Sequence, residues 1–231
     1  MAWQSEWNTL ILKAPKGLQL NVTRKLTMPL EDRRRHSPAA ERNAGPILAE
    51  LARLLPPQGL MLEIASGTGQ HAAHFSAGLP HWQWQPTDAN AETLDSIADW
   101  CAGLSGVRPP AWLDLLEPKL DAWLKEPVDA IFCANLIHIA PWACTPALMQ
   151  LASRWLQPQG LLLTYGPYLE ADVSTAPSNA AFDADLRSRN ADWGIRRLEA
   201  VAAEAERCGL HLRERIAMPA NNRLLVWARV G

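Results

Sequence analysis

The sequence lacks the features that would direct a chain to a membrane, a disulfide framework or a metal centre. Its four cysteines, at positions 101, 133, 144 and 208, are far apart and form no C-x-x-C pair, which disfavours disulfides and zinc clusters. No apolar run approaches the roughly 20 residues of a membrane-spanning helix, and the apolar patch at residues 9–12 is too short for a signal peptide. We therefore expect a cytoplasmic protein with reduced thiols, no metal and no membrane contact.

The sequence also lacks an excess of either charge. The net charge is -2, from 22 basic and 24 acidic residues, and no basic stripe is present. This balance argues against a broad nucleic-acid surface. A chain of 231 residues that is 48% hydrophobic suits one α/β domain with a sizeable core. A small-molecule partner is expected, whereas the oligomeric state is not predicted.

The first 35 residues show no sustained helical or strand period. They include a run of three arginines at positions 33–35, so a flexible basic arm is predicted over residues 1–35. An alternative is that Met28 is the natural start and that the earlier residues are an extension. The remaining residues, 36–231, form the predicted domain.

Strand and helix patterns alternate along this domain. After a helix that begins at Ser37-Pro38 and is broken or kinked at Gly45-Pro46, about five β-α units follow. The chain then closes with two strands that resemble a hairpin. Alternation of this kind predicts right-handed crossovers. The predicted fold is α/β, a Rossmann-like seven-stranded doubly wound sheet that is mostly parallel and has an antiparallel closing strand.

A glycine-bearing turn stands at the centre of this pattern. Residues 63–71 read EIASGTGQH and follow an apolar strand. Glycines here let the backbone approach a ligand, and the next helix aims its first N–H groups at that ligand. The strict G-x-G-x-x-G fingerprint is absent because the third position is Ala72, although alanine is tolerated there, so the glycines alone do not decide the ligand.

Two acids narrow the choice of ligand. Asp88 ends the second predicted strand, where a carboxylate can bind a ribose diol, although it could also cap a turn. Glu63 precedes the turn, where it would repel a pyrophosphate and suit an ammonium or sulfonium group. S-adenosylmethionine carries both of these groups, together with a ribose for Asp88 and an adenine for Asp114.

The motif EIASGTGQH with Asp88 resembles the class I S-adenosylmethionine-dependent methyltransferases. The segments SPAAERN, EIASGTGQH, WQPTD, NLIHIAPW, YGPY, TAPSNAAFD and MPANN resemble one family of largely uncharacterised methyltransferase-like proteins. The resemblance covers the chain from about Arg35 onwards. It departs from many relatives at Ala65, where they carry a further glycine, and Asn135 is not followed by the proline-aromatic pair of amino-group methylating enzymes.

The resemblance implies roles for individual residues. The methionine part of the cofactor would be held by Glu63, Ala65, Ser66, Gly67, Thr68 and Gly69. The ribose would be bound by Asp88 and the adenine by Asp114 and Leu115. Asn135 would lie where the cofactor and the methyl acceptor meet.

Residues for the acceptor are predicted on the loops that follow the strands. His138 is the candidate general base, with a structural histidine as the alternative. Tyr165 and Tyr168 would either line the acceptor pocket or only pack. Asn43 would belong to a lid or to a solvated helix face. Asn179 and Asn222 would read a polar acceptor or close turns.

Three functions remain open on the sequence. The leading hypothesis is S-adenosylmethionine-dependent methyl transfer to a small molecule. The second is a non-catalytic cofactor-binding or protein-interaction module. The third is a nicotinamide-dependent oxidoreductase, which Glu63 and the closing strand pair disfavour.

Overall fold

The strands and helices alternate over most of the chain, as the hydrophobic patterns predict. The computed structural model describes residues 32–171 and 173–229. Within them the nine strands are β1 (Gly59–Ile64), β2 (Trp82–Asp88), β3 (Ala111–Trp112), β4 (Val128–Ala134), β5 (Leu156–Gly166), β6 (Tyr168–Leu169), β7 (Arg196–Arg197), β8 (Leu210–Met218) and β9 (Asn222–Arg229). The α-helices in the same residues are α1 (Pro38–Leu54), α2 (Gln70–Gly78), α3 (Ala91–Trp100), α4 (Cys144–Trp155), α5 (Pro177–Arg189) and α6 (Leu198–Arg207).

Seven strands form one sheet in the order β3-β2-β1-β4-β5-β9-β8. The first five are parallel to one another, whereas β9 pairs antiparallel with both β5 and β8. The predicted fold class, including the antiparallel closing strand, is confirmed. The strand order reverses between β1 and β4, and such a switch point opens a crevice at the carboxyl ends of the strands. Strands β6 and β7 form a separate parallel pair.

Apolar side chains cover both faces of the sheet. On one face, α1, α2 and α3 contribute residues such as Ile47, Phe75 and Ile97 to a core with Phe132. On the other face, α4 and α6 pack against the sheet, with Leu148 and other buried residues. The absence of alternation in β4 follows from burial on both of its faces.

The first helix differs from its prediction. A single helix, α1, runs from Pro38 to Leu54 with Pro46 inside it, so the predicted break at Gly45-Pro46 is wrong. A proline removes one backbone N–H from the helix. Residues beyond it, Ile47 and Leu51, are fully buried in the core, and this packing maintains the helix across the proline. Residues 168–193, a polar stretch of the sequence, contain α5, so they do not form one long structureless loop.

The predicted N-terminal arm and Met28 fall mostly outside the described residues. The described end of the arm, residues 33–35, contacts α3. Arg33 forms ion pairs with Asp95 and Asp99 at 2.7 Å, and the Arg35 backbone N–H donates to Ser96 Oγ at 2.8 Å. The arginine run therefore binds acidic side chains of its own domain.

Candidate active site

The glycine turn after β1 lies beside the ends of β4 and β5. Ile64 pairs with Cys133, and Ala134 pairs with Tyr165. The Asn135 N–H donates to the Tyr165 carbonyl at 2.8 Å. Because these three strands are parallel neighbours, their carboxyl ends bring the turn, Asn135 and Tyr165 to one edge of the sheet.

Glycine suits the two positions of the turn for different structural reasons. Gly67 and Gly69 both have positive φ angles, 57° and 90°. A Cβ on Gly69 would lie 2.6 Å from the Ile97 Cα, whereas a Cβ on Gly67 would meet nothing within 4 Å. Gly69 therefore allows α3 to pack against the turn, and Gly67 presents an open backbone surface that a ligand can approach.

The end of β2 holds this turn in place. Asp88 Oδ2 accepts from the Gly67 N–H at 2.9 Å, and Oδ1 accepts from the Asn90 N–H at 2.8 Å. The Ser66 N–H donates to the Thr87 carbonyl at 2.8 Å. A carboxylate offers about four lone-pair sites, so Asp88 retains capacity to accept two ligand hydroxyls while it holds the turn.

Glu63 lies beneath the turn rather than on its surface. Its carboxyl is fully buried, and Oε2 accepts from Trp84 Nε1 at 2.6 Å. Burial raises the pKa of Glu63 to about 7, and the neighbouring Asp88 adds to this rise, although hydrogen bonds from Trp84 and Ser66 oppose it. A cation bound nearby would lower this pKa again, because an opposite charge favours the carboxylate.

The remaining predicted cofactor residues lie around this turn and beyond β3. The Ser96 hydroxyl donates to the Thr68 carbonyl at 2.7 Å. Asp114 is half-buried, and its Oδ1 accepts from the Leu116 N–H at 2.9 Å. Leu115 is buried in the core on the α4 side of the sheet. Asp114 therefore closes the loop after β3 and leaves its other oxygen available.

A cavity of about 600 Å³ opens at the same edge of the sheet. Its walls come from the first half of α1, the ends of β4 and β5, the start of α5 and the connection between β8 and β9. The lining residues are Ala39, Arg42, Asn43, Asn135, Tyr165, Pro167, Ser178, Asn179, Phe182, Pro219, Ala220 and Asn222. A cavity of this size suits a small molecule.

The cavity brings together five residues that the sequence predicts for the acceptor or its boundary with the cofactor. These are Asn43, Asn135, Tyr165, Asn179 and Asn222. They come from five separate segments of the chain, so only the fold makes them neighbours. Asn43 and Asn179 are both buried, which rules out a solvated helix face for Asn43.

Hydrogen bonds connect the cavity to the helix that follows the glycine turn. His71, the second residue of α2, places Nε2 2.7 Å from Asn43 Oδ1. His71 is buried, and burial lowers its pKa to about 4. Across the cavity, Asn222 Nδ2 donates to the Tyr165 hydroxyl at 2.9 Å. Burial raises the pKa of Tyr165, opposed by Asn43, Asn222 and Arg42.

Backbone strain is concentrated at this site. Within the described residues, the four non-glycine residues with positive φ are Ala65, Asn135, Ala220 and Asn221, with φ between 55° and 59°. Ala65 opens the glycine turn, and Asn135 and Ala220 line the cavity. The carbonyl of Asn221 accepts from Asn179 Nδ2 at 3.1 Å. Left-handed conformations at non-glycine residues persist where the surrounding structure enforces them, commonly at functional sites.

His138 lies in the core rather than in the cavity wall. It is fully buried, and its Nδ1 accepts a long hydrogen bond, 3.4 Å, from the Arg196 backbone N–H. Burial and the Arg196 charge lower the pKa of His138 to about 3. The imidazole is thus neutral at pH 7 and a weak proton acceptor, so the geometry favours the structural alternative over the predicted general base.

Tyr168 has a similar position. It is buried, its hydroxyl donates to Thr164 Oγ1 at 3.0 Å, and burial raises its pKa. Its ring packs edge-on against His138 with 5.0 Å between centroids. These contacts favour the packing alternative for Tyr168.

Sequence reasoning did not assign Arg42, Ser178 or Phe182 to the acceptor site. A usable signal was present for Arg42, because Ala39, Arg42 and Asn43 are spaced i, i+3 and i+4 and share one helix face. Ser178 and Phe182 are likewise four residues apart on α5. Only the placement of both helices at the same strand ends reveals that these faces meet.

A family model described as "Protein of unknown function (DUF938)" matches residues 34–229. The chain belongs to this family. The match covers the whole of the DUF938 fold described above, including the turn and the cavity. Within the described residues of this DUF938 chain, no group of three or more His, Cys, Asp or Glu side chains could hold a metal ion.

Solved structures of methyltransferases share the fold of this DUF938 chain. The mitomycin 7-O-methyltransferase MmcR has a TM-score of 0.70 at 15% identity, over 83% of this chain and 54% of MmcR. Human N-acetylserotonin methyltransferase in complex with SAM has a TM-score of 0.70 at 13% identity, over 84% and 53% of the two chains. CalO1, a methyltransferase in calicheamicin biosynthesis solved with SAH, has 0.65 at 16%, over 83% and 55%.

The DUF938 chain spans little more than half the length of these methyltransferases. At identities this low, the likeness establishes a shared fold and no more. In the described part of the chain, none of the helices combines the length and apolarity needed to cross a bilayer.

Proposed function

We propose that this DUF938 protein transfers a methyl group from S-adenosylmethionine to a small molecule held in the cavity beside Asn135. The observation that carries the proposal is the meeting of two features at one edge of the sheet. One is an open glycine turn held by a carboxylate, and the other is a cavity lined by amide and hydroxyl groups together with apolar side chains.

The residues at the turn fit the cofactor. Gly67 has free space where a Cβ would stand, so a ligand can reach the backbone. Helix α2 begins at Gln70 without a side-chain cap, which leaves N–H groups of its first turn available. Asp88 keeps lone pairs for the ribose hydroxyls, and the buried Glu63 favours a cationic amino-acid group above it. The free oxygen of Asp114 would accept from the adenine amine, with Leu115 beside it.

The bound cofactor would supply an electrophilic methyl group, and the protein would supply alignment. Displacement at a methyl carbon requires no protein nucleophile, so catalysis can rest on orientation and the removal of water. Asn135 would position the reactants at the boundary between turn and cavity. Tyr165, with Asn43 and Asn222 beside its hydroxyl, would orient the acceptor with Asn179. His138 and Tyr168 would support this wall from the core.

A protein with this fold has also been solved with a bound small molecule. An O-methyltransferase family 2 protein with 19% identity and a TM-score of 0.66 was solved in complex with apigenin. This likeness is one of fold, and the acceptor of the present protein is to be found by experiment.

The test is a transfer assay with methyl-labelled S-adenosylmethionine and a metabolite extract fractionated by size and charge. We expect label in a small-molecule fraction with the native protein. Tyr165→Phe should reduce this transfer, while Arg213→Gln, which alters an exposed side chain on β8 outside the cavity, should not. Cofactor binding without transfer to any fraction would instead support a non-catalytic binding module.

A further inference from the structure

The charge distribution in the cavity is one-sided. Among its lining residues, Arg42 is the only charged side chain, and no carboxylate is present. The other polar groups are amides and hydroxyls. A cavity with one cation and no compensating acid favours a ligand that carries a negative charge.

Arg42 has no ion-pair partner within residues 32–171 and 173–229, in contrast to Arg33 and Arg223. Arg33 pairs with Asp95 and Asp99, and Arg223 pairs with Glu170 at 2.8 Å. The guanidinium of Arg42 therefore keeps its donor fork free for an oxyanion, which it can bind through two parallel hydrogen bonds. Its charge reaches the cavity, since it favours the ionised form of Tyr165.

Hydroxyl donors lie on the other walls. The Tyr165 oxygen accepts from Asn222 Nδ2, and Asn43 also bonds to this hydroxyl in the direction that favours its ionised form. Both amides therefore act on the oxygen, and the hydroxyl can donate its proton to a ligand. Ser178 accepts a long bond, 3.5 Å, from Asn221 Nδ2 and keeps its own proton to donate. These donors complement the acceptor oxygens of an anion.

Apolar surface completes the cavity. Phe182, Pro167 and Pro219 line it together with the polar groups. Such a combination suits a ligand with an apolar or aromatic body and one anionic group.

We infer that the methyl acceptor is a small organic anion, a carboxylate or a phosphate, whose charged group binds Arg42 and the hydroxyl groups of Tyr165 and Ser178. The inference rests on the proposed function, because it names the class of acceptor. The direct alternative is that Arg42 binds the carboxylate of the cofactor itself. The two differ in which ligand loses affinity when Arg42 is changed.

The test uses benzoate, its neutral isostere benzamide and phenyl phosphate, each titrated into the whole protein and followed by NMR. We expect benzoate or phenyl phosphate to bind about tenfold more tightly than benzamide, as a charge-assisted hydrogen bond implies. Tighter binding of phenyl phosphate would identify phosphate as the preferred anion, and tighter binding of benzoate would identify carboxylate. Arg42→Gln should abolish the preference, and Arg42→Lys should retain part of it.

The control is Arg213→Gln, which removes the same charge from an exposed position on β8 and should leave the preference unchanged. Equal binding of benzoate, phenyl phosphate and benzamide to the native protein would overturn the inference, as would a preference that survives in Arg42→Gln. S-adenosylhomocysteine, titrated by calorimetry, should bind Arg42→Gln as tightly as the native protein. A tenfold loss there would assign Arg42 to the cofactor and also overturn the inference.

These readouts separate the two proposals. The anion preference is measured without cofactor and without turnover. Failure of the native protein to bind S-adenosylhomocysteine would refute the proposed methyl transfer, whereas absence of an anion preference in the native protein would refute only the inferred class of acceptor.

Discussion

Replacement of Ala65 by glycine should stabilise the protein, although most substitutions at a strand end are destabilising. Ala65 opens the turn with φ 55°, in the left-handed region. For an L-residue with a side chain, the left-handed conformation is roughly 1–2 kcal/mol higher in free energy than the ordinary one. Glycine adopts the same conformation without that cost.

Part of this gain is offset in the unfolded chain. Glycine raises the conformational entropy of the unfolded state, which costs about 0.4–1 kcal/mol. Ala65 is half-buried, so its methyl group contributes little packing. The expected net stabilisation is about 0.5–1 kcal/mol, equivalent to roughly 1–4 °C in melting temperature for a domain of this size.

The assay is equilibrium urea denaturation of the native protein, Ala65→Gly and Ala49→Gly. Ala49 is exposed in the interior of α1, where the same change should destabilise by about 1 kcal/mol. The two variants should therefore move the midpoint in opposite directions. If Ala65→Gly destabilises the protein as Ala49→Gly does, the left-handed turn and the reasoning built on it are incorrect.

Three further changes have defined outcomes. The pKa of Glu63 in the fold, about 7, lies above its ordinary 4.5. The free energy of unfolding should therefore fall by ~3 kcal/mol as the pH rises from 4.5 to 7, because the carboxyl ionises more readily in the unfolded chain. Glu63→Gln should remove this fall in urea titrations at several pH values. Gly69→Ala should destabilise by about 1–3 kcal/mol more than Gly67→Ala, because only its Cβ meets backbone, whereas Gly67→Ala should weaken calorimetric binding of S-adenosylhomocysteine. Tyr165→Phe should cost about 1 kcal/mol through the lost bond from Asn222, and lower methyl transfer more than cofactor affinity.

The sequence was sufficient to predict the sheet and the edge at which the candidate site lies. The unbroken apolar pattern of β4 and the alternation of strands and helices placed Asn135 and Tyr165 at carboxyl ends, where the structure has them. The predicted break at Pro46 is wrong, because burial of Ile47 and Leu51 outweighs the low helix propensity of proline. No local sequence pattern measures that burial. Tertiary packing decided that helix.

The sequence was not sufficient to say which residues of a loop face the cavity. His138 follows Asn135 by three residues, but the short 3-10 turn Leu136–His138 directs it into the core. The sequence does not place Arg42 at the cavity, because the residues that line the opposite walls come from α5 and the β8–β9 connection. Side-chain direction and contacts between distant segments depend on the assembled fold.

Calorimetric titration with S-adenosylhomocysteine tests the central claim most directly. We expect the native protein to bind it with a dissociation constant in the micromolar range, and NADH to give no comparable heat. Asp88→Ala should abolish binding, while Asp192→Ala, a change on an exposed loop, should not. No heat with S-adenosylhomocysteine, or binding that is unaffected in Asp88→Ala, would contradict the account.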